Sequence, residues 1–350
     1  MLSVPRRVAI TVIAAAALLT PAAAQAAPKA DVTVMSRNLY LGADLIPLAA
    51  ATDRADFEVK AAGVWQVVRD TNFPVRAKAL AKELATTKPD LVGLQEAALW
   101  RKGADGVKDG ATTPATEVVY DFVEILLAEA KARGVTYKVV VVQDEFDFEA
   151  PIADGYDIRL TQQDAILVRK GSKVKLGKTY KGRYTENLII PTQAGEANSR
   201  RGWVAVDATL RGKKFRFVNT HLEAYGGEIR DSQAQELMGA TGPVAKKSRK
   251  AIIVGDLNSD PRDAAPDNLA YNTVIGAGFR DIFPSLPSTS GQNEFVNNEV
   301  SELARHIDLV LVRPKMKVVS KRIVGAQATD RIEGLWPSDH AGVVAKLRVG

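Results

Sequence analysis

Ala251-Ile-Ile-Val-Gly-Asp-Leu-Asn258 reads as a short buried strand that stops in a cluster of polar side chains. Three more apolar runs have the same form: Leu91–Leu94 leads into Gln95-Glu96, Phe215–Val218 into Asn219-Thr-His221-Leu222, and Ile307–Val312 has His306-Ile-Asp308 at its head. Met35-Ser-Arg-Asn38 and Ser338-Asp-His340 complete a set of six polar islands, which together hold carboxylates, carboxamides and all three histidines. A polar group at the end of a buried strand sits at a sheet rim, where a site can be assembled from distant parts of the chain.

Strand-like runs recur from Asp31–Ser36 to Gly342–Val349 with helices between them, and neither an internal repeat nor a low-complexity linker divides the chain. The expectation is one α/β domain over residues 27–350. Pro74 can open a helix through Val75–Thr86, with Ala79, Leu80, Leu84 and Ala85 near one face, and Lys88-Pro89-Asp90 breaks it. Val119, Phe122, Leu126 and Ala130 at helical spacing predict a helix over Thr116–Arg133, ended by Gly134. Gln163–Arg169, Trp203–Leu210 and Lys214–Asn219 read as strands, with Arg211-Gly-Lys-Lys214 turning between the last two, and Glu228–Ala240 reads as a helix. Trp100–Ala115 and Gln143–Arg159 are expected to be surface loops. Lys246–Lys250 fits a solvated turn or a phosphate-contact patch.

The chain has 350 residues, 46% of them hydrophobic, enough for a large core. Arg6 and Arg7, the apolar run Val8–Leu19 and the small residues around Ala24-Gln25-Ala26 read as a secretory leader cleaved after Ala26, so the mature protein is expected outside the cell. There is no cysteine, which excludes thiol nucleophiles, cysteine metal sites and disulfides. The formal charge is +6, and loss of a leader carrying two arginines leaves +4, a mild surplus compatible with a phosphate-bearing substrate.

The islands contain what phosphate-ester hydrolysis needs. The reacting phosphorus is shielded by negative oxygens, so a catalyst must neutralise charge, position a water and assist the leaving oxygen. Glu96 is a candidate Mg²⁺ ligand with Asn38 as a neutral amide beside it, because that ion prefers carboxylate oxygen. Alone, Glu96 would serve equally as a helix cap or a lysine partner. Asp256 and Asn258, at i and i+2, point to one side of an extended segment. There Asp256 can orient and deprotonate a water while Asn258 donates to a phosphoryl oxygen, although Ser259-Asp260-Pro261 also has the look of an ordinary turn. Asp308 heads a buried strand, where an unpaired carboxylate is costly, and a bond from the His340 ring would remove that cost and fix its tautomer. His221 can act from the opposite side. The neighbours of His306 suggest a structural position.

Taken in order, Asn38, Leu94-Gln-Glu96, Thr220-His-Leu222, Gly255-Asp-Leu-Asn258, Ile307-Asp308 and Ser338-Asp-His340 resemble the motifs of the endonuclease/exonuclease/phosphatase superfamily. That group includes DNase I, abasic-site endonucleases, neutral sphingomyelinases and inositol polyphosphate 5-phosphatases, and the match runs from Val32 to Leu347. The resemblance implies a four-layer α/β/β/α sandwich, two packed mixed β-sheets flanked by helices, with the site at one rim. It implies Mg²⁺, with Mn²⁺ or Ca²⁺ as substitutes, near Asn38 and Glu96, and Asp339 as a further ligand. Arg159 and Gln163 lie where relatives place a phosphate-contacting side chain. The chain departs from the pattern at Arg305-His306, where the arginine is displaced by one position, and at Tyr40, where abasic-site enzymes carry aspartate; the latter weakens a DNA-repair reading. Asp44 is expected in a turn, with a metal contact as the alternative.

The substrate expected first is extracellular nucleic acid, since polyanion binding is largely electrostatic. Phospholipase C-type cleavage of a phospholipid comes second; Phe146, Phe148 and Tyr156 are its only aromatic candidates for bilayer contact. A phosphomonoester comes third, and a binding module that has kept the scaffold without turnover is the non-enzymatic alternative. No obligate protein partner is evident, and a monomer is expected.

Overall fold

The computed structural model describes residues 1, 2, 4, 29–106, 114–314 and 316–350, so the leader read at 1–26 lies almost wholly outside the described residues. Two mixed sheets face one another. The first places its strands in the order Lys317–Val324, Gly342–Arg348, Asp31–Asn38, Leu91–Ala104, Tyr156–Arg169 and Tyr137–Ile152, with Glu117–Asp121 paired to the far half of Leu91–Ala104. The second runs Arg280–Asp281, Asp308–Arg313, Ala251–Asp256, Lys213–His221, Gly202–Leu210 and Lys175–Arg183. A two-stranded ribbon, Leu188–Thr192 with Gly195–Ser199, stands apart from both.

Alternating side chains divide the apolar residues into three layers. Ile252, Val254, Val310 and Val312 meet Val32, Val34 and Leu91 between the sheets. Ala251, Ile253, Leu309 and Leu311 turn outward onto the helices Gly227–Met238 and Leu269–Gly276. On the first sheet, Met35, Val92 and Leu94 turn outward onto Arg54–Asp70, Phe73–Thr87 and Phe122–Ala132. Strands buried on both faces must be apolar throughout, which is why their polar residues are confined to the ends. The result is the expected four-layer sandwich of two packed mixed sheets flanked by helices.

Three local expectations are corrected. Residues 116–133 are not one helix: Glu117–Asp121 is an edge strand against Leu99–Lys102, and only then does Phe122–Ala132 coil, with the Asp121 carboxylate accepting from the Glu124 amide at 2.9 Å. Pairing with a neighbouring strand here overrides helical spacing. Residues 143–159 are not a loop but most of a long hairpin, Tyr137–Ile152 with Tyr156–Arg169, closed at Gly155 with φ +82°. Phe146, Phe148, Ala150 and Ile152 alternate with Asp147 and Glu149, a period of two that outweighs the density of acids. Trp100–Ala104 likewise continues the strand from Leu91. Elsewhere the elements fall within a few residues of expectation: Phe73–Thr87 for the Pro74 helix, Gly227–Met238 for Glu228–Ala240, and a turn at Arg211-Gly212 between Gly202–Leu210 and Lys213–His221.

Register brings the polar ends together. His221 pairs with Asp256 across a parallel ladder, Asp256 with Asp308 across an antiparallel one, and Asn38 with Gln95 in the other sheet. Gly255 makes the first of these possible. It has φ +156°, and a Cβ there would lie 2.0 Å from the carbonyl oxygen of Thr220. Gly255→Ala is therefore expected to cost about 3 kcal/mol or more of folding stability by overpacking, measured as a shift in the urea midpoint; an unchanged midpoint would show the strand end can move freely.

Candidate active site

Six strand ends and loops converge on one cavity of about 420 Å³ between the rims of the two sheets. The Asn38 amide donates to Glu96 Oε1 and to Asp256 Oδ2, each at 3.1 Å, so one carboxamide bridges carboxylates from the two sheets. The second Glu96 oxygen accepts from the Leu41 amide at 2.8 Å, and Asp256 Oδ1 accepts from the Asn258 amide at 2.9 Å. His340 Nδ1 lies 2.8 Å from Asp308 Oδ2 and 3.8 Å from Asp256 Oδ2, while its Nε2 lies 3.9 Å from Asp339. His221 stands across the cavity, with Nε2 3.2 Å from the side-chain nitrogen Nδ2 of Asn258 and 3.6 Å from Asp256 Oδ2.

The backbone is bent to make this arrangement. Tyr40, Glu96 and Asn258 are left-handed, at φ +58°, +53° and +50°. Glu96 occupies a break in strand pairing between Leu94 and Ala97, which swings its carboxylate out of the ladder and into the cavity. Left-handed backbone is strained for any residue with a side chain and gathers at functional sites. Here the bonds from Tyr40 N to Asn38 Oδ1 and from Asn258 N to Asp256 Oδ1 hold it in place.

The two imidazoles have opposite electrostatics. Burial pulls both toward the neutral form; at His340 the carboxylates of Asp308, Asp339 and Asp256 outweigh it and hold the ring well above the usual histidine range. At His221 burial is reinforced by the Arg201 guanidinium and by His340, and the ring is held well below that range. Burial and the adjacent Asp308 carboxylate push Asp256 up to about 7. Burial, with Glu96 nearby, pushes Asp339 up to about 6.

These residues suit a divalent cation. Carboxylates from Glu96, Asp256, Asp308 and Asp339 are packed more closely than burial can solvate, and Asp308 Oδ1 is buried without a hydrogen-bond partner. A hard cation relieves both conditions, and an oxygen-rich donor set favours Mg²⁺, Mn²⁺ or Ca²⁺ over softer metals. Ligand atoms of Asp256, Asp308 and His340 lie within 4.8 Å of one another, a second grouping able to hold a metal beside Asn38–Glu96. Within that group the 2.8 Å contact between His340 and Asp308 has the length of a hydrogen bond, which commits Nδ1 to Asp308.

Not every expected residue reaches the cavity. Arg159 is held by Asp147 through two bonds, at 2.7 and 2.9 Å, and Gln163 donates to Asp144 at 2.8 Å; neither lines the cavity. Alternation along the strand explains the second case: Gln162 points inward, 3.2 Å from His221 Nδ1, and Gln163 points out. Arg201, also unforeseen, lies buried against the His221 ring with NH1 3.1 Å from Nδ1, and pairs with Glu223. The Arg211-Gly212 turn sets Gly202 opposite His221, so the neighbour of Gly202 was placed beside that ring by hairpin register alone. Asp44 caps a turn, accepting from Ile46 N at 2.9 Å. Both His306 nitrogens are taken, by the Pro287 carbonyl at 2.6 Å and Asp281 at 2.9 Å, away from the cavity. The basic run at 246–250 precedes Ala251, at the opposite end of the strand from Asp256.

Residues 68–340 match the model of the Endonuclease/Exonuclease/phosphatase family, and the chain belongs to that family. Membership supports a hydrolase acting on phosphoester bonds. The chain matches no curated protein. Among solved structures it is similar to a family protein from Bacteroides thetaiotaomicron, at 19% identity and TM-score 0.53, covering 92% of this chain and 98% of that one. It is similar also to D. rerio TDP2 complexed with a single-strand DNA product, at 19% identity and TM-score 0.52 over 91% and 99% of the two chains. A mannosyl-6-phosphatase from Bacteroides thetaiotaomicron gives 20% identity and TM-score 0.52 over 90% and 99%. At such identities the likeness concerns the fold.

Proposed function

We propose that the protein is a divalent-metal-dependent phosphodiester hydrolase, using Mg²⁺ and acting outside the cell. The observation that carries this reading is the bridge at Asn38, where one amide joins Glu96 of the first sheet to Asp256 of the second, beside two histidines of opposite charge preference.

Glu96, Asn38 and Asp339 would hold the cation, which supplies charge neutralisation to the phosphoryl group when bound. Asp256 orients the attacking water and takes its proton, while the Asn258 amide donates to a phosphoryl oxygen. As the water oxygen bonds to phosphorus, the bond to the leaving oxygen breaks; that alkoxide takes a proton from solvent, and Asp256 returns to solvent the proton it took from the attacking water. His340, held by Asp308 and charged, stabilises the negative oxygens. His221 and the adjacent Arg201 face the phosphoryl group from the other side. Export is supported by the leader-like residues 1–26, and among the described residues no helix is long and apolar enough to cross a membrane.

Nucleic acid was the substrate expected first from the basic surplus. The one basic run lies at the far rim, which leaves that choice without local support. A specific observation favours the second reading, a lipid-type phosphodiester: the cavity extends from the catalytic cluster into an apolar arm.

The purified protein is expected to release p-nitrophenol from bis-p-nitrophenyl phosphate with Mg²⁺ and to lose that activity to EDTA, with recovery when Mg²⁺ is returned. Turnover indifferent to EDTA would end the metal-dependent reading.

A further inference from the structure

The cavity has two chemically distinct ends. One holds the acids, amides and imidazoles already described. The other is walled by Leu45, Leu48, Phe146, Phe148, Leu160 and Ile190. Phe146 and Phe148 lie with ring centroids 6.1 Å apart; Phe146 falls in the register shift between Asp144 and Asp147, and Phe148 pairs with Leu160. The ribbon Leu188–Thr192/Gly195–Ser199 covers this end, tied at Gln193 to Arg54 and Ala51 of the first layer.

Resting on the phosphodiesterase reading, we propose that this arm binds one unbranched hydrocarbon chain, making the substrate a single-chain amphiphile whose phosphodiester sits at the catalytic end. Charge excludes the main competitor. Among the described residues, the cations lining the cavity are Arg201, Arg305 and the charged His340, and all three stand at the catalytic end, Arg201 on His221, Arg305 bonded to the Asn258 carbonyl at 3.3 Å and His340 on Asp308. A nucleic acid strand laid along the arm would bring a phosphate at each nucleotide and meet no cation there. Asp44 and Glu294 line the cavity as well and add repulsion for a polyanion. A hydrocarbon chain requires only apolar contact, and at about 420 Å³ the cavity lies within the usual size range of ligand pockets. One arm accommodates one chain, so the second chain of a diacyl lipid would remain outside.

The test is a series of p-nitrophenyl alkyl phosphodiesters from ethyl to dodecyl, assayed with Mg²⁺ below their micelle concentrations beside thymidine 5′-p-nitrophenyl phosphate. kcat/KM is expected to rise about fourfold per methylene until the arm is filled and then level off, with the thymidine ester no better than the ethyl ester. Phe148→Asp should reduce the dodecyl rate far more than the ethyl rate. A flat chain-length profile, or preference for the thymidine ester, overturns the proposal while leaving the phosphodiesterase reading intact. If no ester is turned over, calorimetry with dodecylphosphocholine below its micelle concentration decides: saturable binding that Phe148→Asp abolishes supports the chain site alone, and no binding overturns it.

Discussion

His340→Ala and Asp256→Asn are each expected to lower kcat on bis-p-nitrophenyl phosphate by about 10²–10⁴-fold, the usual worth of a positioned acid or base. The two act through one geometry. Asp308 fixes the His340 ring through Nδ1 at 2.8 Å, and Asp256 lies 3.8 Å from the same nitrogen, so loss of either partner changes the charge the other experiences. Asp308→Asn should reproduce most of the His340→Ala loss without touching substrate, because the ring would lose its fixed tautomer and its charge. Steady-state rates measured beside thermal unfolding separate this from misfolding. A His340→Ala protein with the wild-type rate and the wild-type melting temperature would remove the histidine from the mechanism.

Arg76→Leu is expected to cost about 3–5 kcal/mol of stability, the penalty for breaking a buried charged network from one side. The Arg76 guanidinium is fully buried and donates to four carbonyls: Thr71 at 2.8 Å, Leu39 at 2.7 Å, Tyr40 at 3.0 Å and Pro337 at 3.1 Å. Burial lowers it to about 10, which leaves it charged at neutral pH. Leucine would leave all four oxygens without a donor. The residues it holds flank Asn38 on one side and Asp339 on the other, so activity should fall together with stability. Arg76→Lys should rescue little, since an ammonium cannot reproduce the planar fork. Urea unfolding measures the cost, and a loss below about 1 kcal/mol would show that water replaces the guanidinium.

Most of the candidate site could be read from the chain because buried strands leave few places for polar atoms. Asp256 and Asp308 face each other because two antiparallel apolar runs of similar length end together, and His221 joins them through a parallel neighbour of Ala251–Asp256. What escaped depended on pairing between distant segments. Arg159 looked available for a phosphate until the hairpin set Asp147 within reach of it, and Gln162 was passed over for Gln163 because alternation has meaning only once the strand is known to exist. The helix Arg54–Asp70, with Phe57, Ala61, Val64, Trp65 and Val68 buried, was not anticipated, although its Asp53 cap and apolar stripe follow the ordinary pattern. The apolar arm could not have been inferred at all, because its walls come from three separate segments, at 45–48, 146–160 and 190.

The strand Asp31–Asn38 lies between Leu91–Ala104, made soon after it, and Gly342–Arg348, the last strand of the chain. While the residues between them are made, one edge of that strand has no partner, and the first sheet closes only after Gly342–Arg348 has been made. Such long-range pairing slows folding and prolongs exposure of an unpaired strand to other chains.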